Sequence, residues 1–126
     1  MIFVDTNYFI RFLLVDVPSQ HKKAVALFES GATGEVKLFT SIIVFFEIYW
    51  VMKTSYKKSK QEIISILEDV LEMRFIEIAE AEVLQEALEL FEEGNIELED
   101  CYNISYAKSE NMVEFKTFDK KLLKSL

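Results

Sequence analysis

Of the 22 acidic residues in this chain of 126, four stand where a carboxylate is more than a solvated surface group. Asp5 ends the apolar run Met1 to Val4, and Asp119 falls just after a candidate strand, Met112 to Thr117. Glu47 interrupts an otherwise apolar stretch from Ile42 to Met52, and Asp100 sits near the start of a late helical segment. Oxygen ligands of this kind suit magnesium or manganese, which prefer hard donors in octahedral geometry and keep several waters. Such a metal lowers the pKa of its water and stabilises a charged phosphoryl group, which is the chemistry of phosphodiester cleavage. Without metal, clustered carboxylates repel one another and some take up protons.

Each acid also has a plain structural reading. Asp5 and Asp119 could be helix N-caps, and Asp100 could be a charge favoured by a helix dipole. Glu47 is the sharpest individual signal. An unpaired ionised carboxylate inside a buried helix costs several kcal/mol, so Glu47 should have a positive partner, either Arg11 or a divalent metal. The alternative is a Glu47 that is half exposed at the domain edge.

The remaining chemistry-bearing residues exclude other classes. One histidine and one cysteine rule out an ordinary structural zinc site and an intramolecular disulfide, and a lone cysteine agrees with a reducing compartment. His21, beside Lys22 and Lys23, reads as solvated, so a Ser/His/Asp triad is a poor fit. Cys101 reads as a packed thiol. Three glycines fit neither GxxxxGK[ST] nor GxGxxG. A net charge of -8 argues against a broad basic nucleic-acid surface, though not against a nucleic-acid enzyme whose acids are neutralised by bound cations. Lys53, Lys57, Lys58 and Lys60 form the densest basic stretch, which is either a solvated loop or a guide for an RNA backbone.

These side chains need elements to position them. Apolar residues at 51% and aromatics at 13% suffice for one core, so residues 1–126 are expected to form a single domain. Strands are expected at Met1 to Val4, Glu35 to Thr40, Arg74 to Ile78 and Met112 to Thr117, the first of them central and buried. Helices are expected over Tyr8 to Val15, Ser19 to Ser30 with Ser19 as N-cap, Ser41 to Tyr56, Ser59 to Met73, Ala81 to Phe91, Leu98 to Ser109 and Asp119 to Leu126. Strands alternating with helices imply an α/β class, a three-layer α/β/α sandwich on a parallel sheet of about four or five strands. In such sheets, sites collect at the carboxyl ends of the strands, where Asp5 and Asp119 fall. The absence of a basic leader or an apolar stretch of about 20 residues suggests a cytoplasmic protein.

In order and length, the pattern resembles the PIN-domain nucleases, especially VapC-type toxin ribonucleases. The residues that carry the resemblance are Ile2-Phe3-Val4-Asp5-Thr6-Asn7, Ser41 followed by Glu47, Asp100, and Thr117-Phe118-Asp119-Lys120. The resemblance implies a PIN-like α/β/α fold and a Mg2+- or Mn2+-dependent endoribonuclease with Asp5, Glu47, Asp100 and Asp119 as catalytic metal ligands. Asn7 and Thr117 match polar positions that help shape the acidic pocket. An RNA substrate, a homodimer and a VapB-like antitoxin belong to the same implication. Cys101 stands where many relatives have Ala after the late acid, and Lys121 where some have a further acid, which implies one firm metal position and a weaker second.

Other readings are a catalytically silent PIN-like interaction module and a housekeeping RNA-processing nuclease. A phosphatase of the haloacid-dehalogenase type also begins with an Asp after a first strand. It needs a second acid two residues on, where this chain has Asn7.

Overall fold

Three short parallel strands carry the sheet: β1 (Ile2–Phe3), β2 (Leu38–Thr40) and β3 (Ile76–Ile78), in the order β1-β2-β3. They belong to a computed structural model that describes residues 1–126. Register pairs Ile2 with Leu38 and Phe3 with Phe39, then Leu38 with Ile76 and Thr40 with Ile78. The class is therefore α/β with a parallel sheet, as the alternation of patterns indicates. The chain divides into two compact units, Met1–Ala79 and Glu80–Leu126.

In the first unit the helices are α1 (Thr6–Leu13), α2 (Pro18–Ala32), α3 (Ile42–Thr54) and α4 (Lys60–Glu72). Their starts follow from local chemistry. The Ser41 hydroxyl accepts from the Val44 amide at 3.3 Å, while Ser59 and Glu62 form a capping box that satisfies two end amides reciprocally. Helix α2 starts two residues earlier than expected, its cap at position 17 and not 19. Val17 takes the cap position and Pro18 the first turn, where a missing amide hydrogen costs nothing.

Phe28 of α2 meets Phe9 and Phe12 of α1, with ring centroids 5.5 and 4.7 Å apart, and Phe75 at 6.0 Å. Gly31 lets α2 lie against the sheet, because a β-carbon there would come within 2.6 Å of the Leu38 Cδ1. Val44, Phe45, Ile48, Tyr49 and Met52 of α3 and Ile63, Ile64, Leu67 and Val70 of α4 are buried as well.

The second unit holds α5 (Ala81–Glu93), α6 (Leu98–Ser109) and α7 (Lys120–Lys124). Helices α5 and α6 form a hairpin across a four-residue loop, burying Leu84, Ala87, Leu88 and Phe91 with Leu98, Cys101 and Ile104. Glu80 enters α5 in the left-handed region, φ 55°, a conformation that an L residue adopts at a cost. Its carboxylate accepts from the Tyr102 hydroxyl at 3.0 Å, which holds it there. Asn111, φ 57°, closes α6. The Met112 amide reaches the Ala107 carbonyl and the Asn111 amide that of Lys108, both at 3.1 Å, the paired bonds of a Schellman ending.

Three expectations need correction. The sheet has three strands, since 112–117 forms none; alternation marks a segment able to be a strand, but a strand exists only where a neighbour supplies its hydrogen bonds. The first strand is at the sheet edge with both residues exposed, and β2 is central. Helix α3, apolar almost all round, leaves one stripe in the open: Ile43 at 63% and Trp50 at 47% exposure, with Glu47 exposed between them.

Candidate active site

Parallel strands place their carboxyl ends together, and the helices that follow start there. Asp5 comes two residues after β1, at the N-cap position of α1, and α3 leaves the carboxyl end of the neighbouring β2. The ends of these two strands are tied: the buried Thr40 hydroxyl donates to the Val4 carbonyl at 2.7 Å.

Asp5 occupies the cap position without making a cap hydrogen bond through its side chain. Its carboxylate is exposed and remains open to a ligand. Next to it, the Thr6 hydroxyl is buried without a partner, and the exposed Asn7 follows.

Glu47 differs from its expectation. It is exposed, so burial does not force a positive partner on it; the stripe at positions 43, 47 and 50 is the face of α3 turned to solvent. Arg11 is not its partner either. The Arg11 Nη1 donates to both Asp16 oxygens, at 3.0 and 3.1 Å, and to the Tyr56 hydroxyl at 3.2 Å, while Nε donates to Gln20 at 2.8 Å. The Tyr56 hydroxyl donates to Asp16 at 2.8 Å. That bond and the Arg11 guanidinium hold the Asp16 carboxyl below its ordinary pKa. This trio ties α1 to the end of α3.

Asp100 and Asp119 belong to the second unit. Asp100 lies in the first turn of α6, half-buried, where the helix dipole favours a negative charge. Beside it the Glu99 Oε1 is buried with no partner. Asp119 caps α7: its Oδ1 accepts from the Lys121 and Leu122 amides at 2.9 and 3.1 Å. Thr117 shapes this turn, its hydroxyl accepting from the Asp119 amide at 3.1 Å. Thus Asp119 is a cap as well as a candidate ligand, with Oδ2 outside the capping bonds.

Within neither unit do three or more histidine, cysteine, aspartate or glutamate side chains gather as a metal-binding group. Of the four candidates, Asp5 and Glu47 belong to the first unit and Asp100 and Asp119 to the second. Their carboxylates, exposed at Asp5, Glu47 and Asp119 and half-buried at Asp100, that of Asp5 free of capping bonds, fit magnesium or manganese, which are commonly held by one or two carboxylates with waters and substrate phosphate oxygens.

His21 is half-buried rather than solvated. Its Nδ1 donates to the Arg11 carbonyl at 2.8 Å and its ring stacks on Phe12, 6.4 Å between centroids. Of the basic stretch, Lys58 pairs with Glu62 at 3.8 Å and Lys53 lies over the Tyr49 and Trp50 rings. No helix is long and apolar enough to cross a membrane.

Sequence reasoning missed a cleft of about 300 Å³ lined by Asn7, Tyr8, Arg11, Gln20 and Lys23. The signal was present as a spacing of three, Tyr8 to Arg11 and Gln20 to Lys23, on two consecutive helices.

Compared with known proteins, residues 2–125 match the family model described as PIN domain. No curated protein matches the chain.

Proposed function

Because the chain belongs to the PIN-domain family over nearly its whole length, a nuclease fold whose members are generally metal-dependent nucleases, we propose that it is a Mg2+- or Mn2+-dependent endoribonuclease, the toxin of a type II toxin-antitoxin pair. In this reading Asp5, Glu47, Asp100 and Asp119 hold the metal, with Asn7 and Thr117 shaping the pocket. The observation that carries it is Asp5. A carboxylate at a helix start ordinarily accepts the free end amides, whereas that of Asp5 makes no such bond and stays open at the carboxyl end of β1.

The other residues have separable duties. Thr40 fixes the strand ends from which Asp5 and α3 emerge. Glu47 is carried on a helix whose opposite faces are buried, so a flexible side chain projects from a rigid support. Thr117 and the capping bonds of Asp119 fix its Oδ1, which orients Oδ2. A bound divalent ion would supply positive charge for the scissile phosphate and acidify an attacking water. Lys121 stands two residues beyond Asp119 and supports a single firmly held ion.

A VapB-like antitoxin, a homodimer and a cytoplasmic location complete the proposal and rest on the resemblance to VapC-type toxins. The test is incubation of the purified protein with a panel of structured RNAs, with and without magnesium or manganese, beside Asp5→Asn. Cleavage that needs metal and disappears in the variant is expected. Metal-independent cleavage, or cleavage undiminished in Asp5→Asn, overturns the mechanism. Growth arrest on expression, relieved by a small neighbouring reading frame, is the result expected of a toxin.

A further inference from the structure

In a chain of net charge -8, the cleft between α1 and α2 is lined by two cations, two amides and a phenol, and by no acid: Arg11, Lys23, Asn7, Gln20 and Tyr8. Arg11 is ion-paired with Asp16 at 3.0 Å but keeps donors to spare. Arg11 uses Nε and Nη1 within the protein, and its Nη2, with two N–H donors, has no acceptor there. Lys23 is exposed and engaged in no ion pair or hydrogen bond. Tyr8 is 39% exposed, which leaves ring surface open.

The cleft also lies near the proposed reaction centre. Asn7 and Arg11 are one turn apart on α1, and Arg11 is six residues from Asp5, about 9 Å along a helix rising 1.5 Å per residue. The Arg11 Nη2 offers its two N–H donors to phosphate oxygens, and the Lys23 ammonium adds a point charge. Aromatic rings stack on bases irrespective of sequence.

We propose that this cleft is the subsite for the single-stranded RNA flanking the cleavage point. A backbone phosphate lies against Arg11 and Lys23, its base stacks on Tyr8, and Asn7 and Gln20 hydrogen-bond the sugar or base edge. The assignment rests on the ribonuclease reading above, because it takes the strand at Asp5 to be RNA. It explains how an acidic protein retains a polyanion: the attraction is local, along the helix from Asp5, and needs no basic face.

The test measures fluorescence anisotropy of a short, labelled, single-stranded RNA of mixed sequence on the full-length chain carrying Asp5→Asn, so that the strand stays intact. Lys23→Glu, on an exposed side chain, is expected to weaken binding roughly tenfold and to lower the salt dependence by about one released counterion. Tyr8→Ala is expected to weaken it at least about fivefold, with Tyr8→Phe retaining affinity, since stacking needs the ring and not the hydroxyl. Circular dichroism melts verify that each variant is folded. RNA affinity unchanged in both Lys23→Glu and Tyr8→Ala overturns the subsite. So does an oligo-glutamate peptide whose binding is lost in Lys23→Glu while RNA binding is not, which would assign the cleft to an acidic protein segment.

Cleavage by the chain with Asp5 intact is assayed separately. Metal-dependent cleavage with no effect of the cleft variants on RNA affinity removes the subsite and leaves the enzyme. RNA binding that depends on Lys23 and Tyr8, in a protein that cleaves nothing, supports the subsite and removes the catalytic reading.

Discussion

The Thr40 hydroxyl donates to the Val4 carbonyl at 2.7 Å across the carboxyl ends of two neighbouring parallel strands. Through its own carbonyl, Thr40 also accepts from the Ala79 amide at 3.3 Å. One residue of the central strand thereby ties β1 and the end of β3 at the edge from which Asp5 and α3 depart. Thr40 is 5% exposed, so the bond with Val4 is shielded from water.

Replacing this hydroxyl with a methyl keeps the shape but leaves the Val4 carbonyl without that donor. Thr40→Val is expected to lower stability by about 1–3 kcal/mol, read as a shift of the urea midpoint at unchanged slope. Nuclease activity should fall with it, since Asp5 is held from the same strand end. A midpoint within error of the parent would show that the bond has little energetic importance.

Glu47 separates two accounts of α3. A buried carboxylate neutralised by a partner would make Glu47→Gln change stability markedly. Exposed and unpaired by protein groups, it should change by no more than about 0.5 kcal/mol, while metal-dependent cleavage drops steeply. Thermal melts and cleavage rates on the same preparation check both halves.

Asp119 carries two duties that different substitutions divide. Asn caps a helix about as well as Asp but brings no charge, whereas Ala does neither. Asp119→Asn is expected to keep the parent's stability and lose metal-dependent activity. Asp119→Ala should lose activity and about 1 kcal/mol of stability. Equal instability of the two would mean that charge, and not the Oδ1 bonds to Lys121 and Leu122, holds α7 in place.

Tyr102 gives the second unit an alkaline limit. Burial, then its bond to Glu80, raises the phenol pKa to about 12, against about 10 in an unfolded chain. The folded state thus favours the neutral phenol. Its contribution is fully present below about pH 10 and is lost as pH rises through about 12. The stability gap between the parent chain and Tyr102→Phe should therefore be constant up to about pH 10 and shrink above it; a gap independent of pH through this window would contradict the assignment.

The sequence was informative where the cause is local. Ser41 and the late helix Leu98–Ser109 follow from capping and periodicity, and the first three strands from short apolar runs, with all three shorter by two or three residues than expected. It was uninformative where the cause is a neighbour distant in the chain. Whether 112–117 becomes a strand depends on a pairing partner, and whether β1 is central depends on strand order. The error at Glu47 has the same origin. An all-apolar helix suggests burial, but the bare stripe of Ile43, Glu47 and Trp50 is set by which sides the rest of the fold covers. Asp5 and Asp119 show the converse: both precede helices and both read as possible caps, yet only the side chain of Asp119 caps. The cleft partners Gln20 and Lys23 became visible only once α2 lay beside α1.

The most direct measurement of the central claim is manganese affinity, by isothermal titration of the full-length chain and of Asp5→Asn, Glu47→Gln, Asp100→Asn and Asp119→Asn. If the four acids hold one ion, every variant should weaken the same binding event, each by at least about tenfold, because each removes a charged oxygen ligand. Manganese binding that is absent in the parent chain, or that persists unchanged when Asp5 becomes Asn, would contradict the account.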